Sequence, residues 1–184
     1  VKHPARWIAG SVAMVVVVLG VILAVNVGND PAAGSHASPL QNKAVPAFDL
    51  PTLDGGRVTE AATTGEWTLV NFWNSWCVPC RQELPELRKF SQSYAGNPQV
   101  QMIGIVRDPQ ESKTAVAKYA KSEGMDWTLA WDPGNQAALD FATRGQPESF
   151  LVAPNGEVMV FFYGPVTART LERALIAVGG PASS

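Results

Sequence analysis

The only two cysteines of this 184-residue chain, Cys77 and Cys80, stand at a seam in the stretch NFWNSWCVPCRQELPEL (71–87). Before them runs WTLVNFW (67–73), short and almost wholly apolar, the pattern of a parallel strand buried on both faces. After them a helix is predicted from about Val78 to Tyr94. Pro79 suits its first turn, where a missing amide costs nothing. Pro85 lies inside it and predicts a kink. A strand that hands over to a helix through Cys-x-x-Cys constrains the fold more than any bulk property does.

The rest of the chain alternates in the same manner. FDLPTLDGGRVTE reads as a short hairpin turning at Asp54-Gly55. VQMIGIV (100–106) is the next strand, and SKTAVAKYAKSEG (112–124) is a helix that ends at a glycine. WTLAW is strand-like, and NQAALDFATRG is helical. SFLVAPNGEVMVFFYG reads as two strands about Asn155-Gly156, a strong hairpin signal. TARTLERALIAVGG closes the chain as an amphipathic helix. The order β-α-β-α-β-α-β-β-α predicts an α/β fold with helices on both faces of one sheet. Trp73, Trp127 and Trp131 are assigned to its core, and Trp76 to the exposed surface beside Cys77.

Ahead of this domain, WIAGSVAMVVVVLGVILAVNV (7–27) carries no charge. As a helix it would span about 31 Å, the thickness of a bilayer's hydrocarbon core. Lys2 and Arg6 precede it, and the first charge after it is Asp30. The positive-inside rule then gives a cytoplasmic N-terminus (1–6), a transmembrane anchor (7–27) and an extracytoplasmic remainder. A cleaved signal peptide is the competing reading, with Ser35-His36-Ala37 as a loose cleavage site. No cysteine lies near the segment, which excludes lipid attachment there. Residues 28–45, rich in small residues and proline, read as a flexible linker, and 46–184 as the folded domain. Fourteen basic and sixteen acidic residues, with no local Lys/Arg cluster, give no reason to expect a nucleic-acid partner.

Three uses of the cysteine pair compete. A structural zinc site needs four ligands, yet both histidines, His3 and His36, precede the domain. The same absence removes a Cys–His nucleophile and a histidine ligand for copper. Arg81 stands where covalent haem attachment would need a histidine. A structural disulfide gains stability from the loop it closes, and Val78-Pro79 is almost no loop. Exchange remains, and position favours it. At a helix N-terminus the free amides and the macrodipole stabilise a thiolate. Residues three apart there also meet the Cα spacing that a disulfide requires.

FWNSWCVPC, with GQPESF (145–150) ahead of the last hairpin, resembles the thioredoxin superfamily, and in particular the membrane-anchored cytochrome c maturation group of thiol:disulfide oxidoreductases (CcmG/DsbE, ResA, TlpA). The resemblance covers about residues 46–178. It implies a thioredoxin fold with an N-terminal hairpin and a strand–helix unit inserted over 107–144. It makes Pro147 the cis-proline that faces the disulfide, and Glu83 the acidic residue after the second cysteine. Asn74-Ser75 departs from the small pair usual before Trp76, and Gln146 from the smaller residue usual before the proline.

The expected mechanism has Cys77, taken as the more exposed sulfur, attack a partner's disulfide. Cys80 then resolves the mixed disulfide, and Glu83 accepts its proton or tunes the couple; a solvated helix glutamate is the plainer reading of Glu83. Trp76, Gln146, Pro147 and Glu148 are the expected substrate contacts, Glu148 as part of an acidic rim or else as an ordinary loop acid. No cofactor or metal is expected, and a monomer is. The implied partners are apocytochrome c or another disulfide-bearing protein, and a membrane electron donor of the CcdA/DsbD type. The activity read first is reduction of the haem-binding cysteines of apocytochrome c outside the cytoplasm, where disulfides tend to form. A disulfide oxidase and a redox-independent chaperone for apocytochrome or a copper-site protein are the alternatives. A peroxidase is a weaker one, the cysteines being vicinal.

Overall fold

The structure, a computed structural model, describes residues 14–21, 37–107 and 109–183. The chain divides into two units, Val1–Ala33 and Gly34–Ser184. In the first, residues 14–21 form helix α1. Among the described residues no helix is long and apolar enough to cross a membrane. Most of the segment expected as an anchor lies outside the described residues, as do residues 28–36 of the expected linker.

The second unit opens earlier than the sequence suggests. Ala44 bridges Glu157. The backbone N–H groups of Asn42 and Val45 donate to the carbonyls of Val158 (2.8 Å) and Gly156 (2.9 Å). Leu40 and Val45 pack against the core. Two apolar side chains and these backbone bonds are enough to hold a stretch whose composition reads as a tether.

The elements then follow in the expected order. A hairpin of β1 (Asp49–Pro51) and β2 (Arg57–Thr59) leads through a 3-10 turn to β3 (Trp67–Trp73), α2 (Val78–Ser93) and β4 (Val100–Arg107). Next come α3 (Lys113–Ser122), β5 (Thr128–Asp132), α4 (Gln136–Asp140), β6 (Glu148–Val152), β7 (Val158–Tyr163) and α5 (Ala168–Ala177). The five-stranded sheet has the order β5-β4-β3-β6-β7, with β3 in the middle. β3, β4 and β5 run parallel, and β6 and β7 are antiparallel to their neighbours. Being paired on both edges, β3 is apolar on both faces, as its sequence required.

Alternation along β3 assigns the two layers. Leu69 and Trp73 join α2, α3 and α5, and Val70 and Phe72 join the hairpin and α4. Phe72, Phe141 and Phe150 meet edge to face in that second layer, with centroids 5.0, 5.1 and 5.9 Å apart. Each such pair adds about 0.5–1.5 kcal/mol beyond its buried area. Gly104 fills a tight spot on the first layer: a Cβ there would lie 3.0 Å from Trp73 Nε1 and 3.2 Å from Trp127 Nε1.

Two expectations need correction. The helix read over NQAALDFATRG is confined to Gln136–Asp140. The Asp132 carboxylate accepts the N–H groups of Gln136 and Ala138, and Ala142 turns the chain out at φ 54°. Trp127 and Trp131 are only half-buried, packed at the margin of the layer that holds Trp73, since β5 is an edge strand.

Candidate active site

The site is built where the central strand ends. β3 stops at Trp73, Asn74 donates to the Arg107 carbonyl at the end of β4, and α2 begins at Val78. Cys77 is the N-cap of α2: its sulfur accepts the Cys80 N–H at 3.2 Å, one of the donors that a helix start leaves free. Pro79 occupies the first turn, and the helix runs on through Pro85. Cys77 and Cys80 form a disulfide with S–S 2.04 Å and Cα–Cα 5.2 Å.

Exposure does not separate the sulfurs. Cys77 is 3% exposed and Cys80 5%, so the expectation that Cys77 is the more accessible residue fails by this measure. Their surroundings do separate them. Cys77 borders an open depression of about 440 Å³ with Trp76, Val78, Pro79, Arg107 and Gln146. Cys80 borders a cavity of about 10 Å³ with Asn71, Trp73, Leu84 and Tyr119. A larger cleft of about 500 Å³, between Leu53, α3 and β5, includes neither cysteine.

The loop opposite the disulfide carries the expected cis bond, between Gln146 and Pro147. The Gln146 carbonyl oxygen lies 3.7 Å from Cys77 Sγ. The Pro147 carbonyl is already engaged by the Gly164 N–H at 3.0 Å. Of the loop's two carbonyls, Gln146's is thus the one beside the reactive sulfur. Trp76, 42% exposed, stands at the rim as expected.

Glu83 is no solvated helix glutamate. It is 2% exposed, and each carboxylate oxygen has a partner: Oε1 accepts the Val166 N–H at 3.0 Å and Oε2 the Asn71 side-chain amide at 3.2 Å. Burial pushes its pKa up to about 7 against the pull of those two bonds. A carboxyl half-protonated near neutral pH, one helical turn beyond Cys80, is suited to exchange a proton.

Glu148 contradicts its expected place among the substrate contacts. It opens β6 opposite Phe72 and is wholly buried. Its Oε1 accepts the N–H groups of Arg144 (2.9 Å) and Gly145 (2.8 Å). The side chain therefore ties the 144–147 loop together from within and forms no acidic rim. Burial raises its pKa, opposed by those two bonds and by the Arg107 and Arg144 guanidinium groups. The charged group that does line the depression is Arg107.

Sequence reasoning missed Asn71, Ser149 and the Val166 amide, which hold Glu83 directly or through Asn71. One signal was available: Asn71 is the single carboxamide in an apolar strand, where a polar side chain must find partners inside the protein. The other two are far away in sequence and come near only through the sheet and α5.

Dithiol–disulfide exchange is the chemistry that a Cys-x-x-Cys pair beneath such a loop serves, and the protein is a thioredoxin-like thiol:disulfide oxidoreductase. The chain belongs to the AhpC/TSA family, whose family model matches residues 41–161. It is similar to the thiol:disulfide interchange protein CycY of Rhizobium leguminosarum bv. viciae, 31% identical over 86% of this chain and 83% of that protein. It is similar also to the thiol:disulfide interchange protein DsbE of Allochromatium vinosum, 32% identical over 72% of this chain and 71% of that one. A crystal structure described as a thiol:disulfide interchange protein DsbE from Chlorobium tepidum superposes with a TM-score of 0.66 at 29% identity, over 74% of this chain and 96% of the other.

Proposed function

We propose that the protein is a membrane-anchored, extracytoplasmic reductase that keeps the haem-binding cysteines of apocytochrome c in the thiol form. The observation that carries the reading is the placement of the two sulfurs. Cys77 borders the open depression beneath the Gln146–Pro147 loop, and Cys80 borders the inner cavity. Cys77 thiolate attacks a partner's disulfide, one partner sulfur leaves as thiolate, and a mixed disulfide forms. Cys80 then loses its proton to Glu83, attacks Cys77 Sγ and releases the second partner sulfur. Both cysteines end oxidised. A dithiol donor must restore them, and a membrane protein of the CcdA/DsbD type fits that need. The resemblance of FWNSWCVPC and GQPESF to the cytochrome c maturation group supports the substrate, and the uncharged run over 7–27 supports the anchor.

The reduction potential of the couple, measured on the purified protein in defined thiol buffers, tests the direction of flow. A reductase is expected near or below the ~−200 to −270 mV of glutaredoxins and thioredoxin. A value near ~−120 mV, that of a strong oxidant, replaces the reductase with an oxidase. A disulfide-bonded peptide carrying Cys-x-x-Cys-His tests the substrate: it is reduced faster than a scrambled control. Retention in the membrane fraction after an alkaline wash tests the anchor.

A further inference from the structure

Two sulfurs buried to almost the same degree still need a physical reason to play different parts. We propose that Asn71 supplies it: a positioning residue whose side-chain carbonyl oxygen accepts the Cys80 S–H in the dithiol form, holding Cys80 protonated while Cys77 is the thiolate. The proposal rests on the disulfide exchange described above.

Asn71 is 1% exposed on the central strand. Its amide nitrogen donates to Glu83 Oε2 at 3.2 Å and to Ser149 Oγ at 2.9 Å, so both N–H bonds are used. While Glu83 is ionised these bonds also orient the carboxamide, since the reverse orientation would set its oxygen against the carboxylate. Oδ1 is buried and has no partner among the described residues. A buried acceptor left unpaired costs about 1–3 kcal/mol, and such an atom calls for an explanation. Asn71 and Cys80 border the same cavity. At about 10 Å³ it is at the lower limit for a single water.

In the disulfide, Cys80 has no hydrogen to give. Reduction supplies one. A donor thiolate attacks Cys77 Sγ, the Cys77–Cys80 bond breaks, and its electron pair leaves on Cys80, which takes a proton. The donor's second thiolate then attacks the mixed disulfide and releases Cys77 as thiolate, the donor ending as a disulfide. The two sulfurs, no longer bonded, must separate, and the space beside Cys80 is the cavity that Asn71 borders. A carbonyl acceptor favours the neutral thiol. Cys77 has the opposite surroundings, with the Cys80 N–H on its sulfur and the start of α2 behind it, which favour the thiolate. Contrasting surroundings of this kind divide roles between like groups.

The S–H stretching band in the infrared reports directly whether a thiol donates. In the Cys77→Ser protein, Cys80 is the one thiol, and its band is expected at the hydrogen-bonded position. Adding Asn71→Ala moves it to the non-bonded position. Adding Ser149→Ala, which removes a partner of Asn71 but leaves its carbonyl, does not. A non-bonded band with Asn71 present, or a bonded band that survives Asn71→Ala, overturns the proposal. Should Asn71→Ala fold poorly, the reduced unmodified protein still decides. Alkylation of Cys77 is expected to outpace that of Cys80, and equal rates overturn the assignment. A bonded band in a protein that exchanges no disulfide supports the Asn71 contact and overturns the exchange reading instead.

Discussion

Glu83 Oε1 accepts the backbone N–H of Val166 at 3.0 Å, so a carboxyl group one turn beyond Cys80 joins α2 to the segment leading into α5. An acid in that position makes a pH-sensitive brace. Its pKa is raised by burial from 4.5 to about 7, so the folded state binds a proton that the unfolded chain releases at about pH 4.5. Between those values the folded state holds more protons, and stability falls as pH rises. The loss amounts to about 3 kcal/mol, complete above pH 7. Urea unfolding of the oxidised protein at pH 5 and pH 8 measures it. In Glu83→Gln the part of the slope that belongs to this carboxyl is expected to vanish, leaving the smaller contribution of the other raised acid, Glu148, and disulfide exchange at pH 7 to slow by about tenfold or more as the proton acceptor is lost.

The cysteines differ in what their loss leaves behind. Cys80→Ser retains the attacking sulfur and lacks the resolving one, so it accumulates mixed disulfides with its partners. Cys77→Ser accumulates none. Non-reducing electrophoresis of cells that express each variant reads the difference. A chaperone that works without its thiols predicts equal function for both variants and for the unmodified protein.

Glu148→Ala removes the acceptor for two loop N–H groups. The expected cost is about 1–3 kcal/mol for each amide left unpaired, with faster hydrogen exchange at Arg144 and Gly145. An acidic rim would behave otherwise: the protein would keep its stability, and its preference between cationic and neutral substrates would change.

Trp76→Ala tests the rim of the depression. The side chain keeps 42% of its surface exposed, so the loss of stability should stay well below the about 3–5 kcal/mol of a fully buried aromatic. Loss of an aromatic contact costs about 1–2 kcal/mol of substrate binding, roughly tenfold in KM. Steady-state reduction of a protein disulfide separates that effect from kcat.

Gly104→Ala places a methyl 2.8 Å from Leu129 Cδ2 and against two indole nitrogens. An over-packed core loses about 1–3 kcal/mol. The shift appears in the urea midpoint and in the fluorescence of Trp73, while exchange at the cysteines persists.

The order of elements and the Cys-x-x-Cys junction were legible because apolar periodicity and helix-start chemistry are local. The cis peptide at Pro147 followed from the resemblance alone, since nothing local in GQPESF requires it. Glu148 went astray for a physical reason. Loop acids are ordinarily solvated, but this one begins a strand buried on both faces, so its side chain lies beneath its own loop. Asn71 escaped notice because an apolar run reads as packing. Its partners come from β6 and α2, whose proximity only the folded sheet creates. The short α4 depends on a carboxylate and a left-handed turn, neither of which leaves a periodic trace.

Ala44, near the start of the domain's described residues, bridges Glu157, in the turn between β6 and β7. That turn lies beyond Val152, which pairs with Thr68 near the start of β3, whereas Cys77 follows the end of β3. A strand of five residues such as β6 runs about 16 Å, so the chain enters at one pole and the disulfide sits at the other. A pull on the chain at Ala44 is therefore borne at the end of the sheet that lies away from the sulfurs.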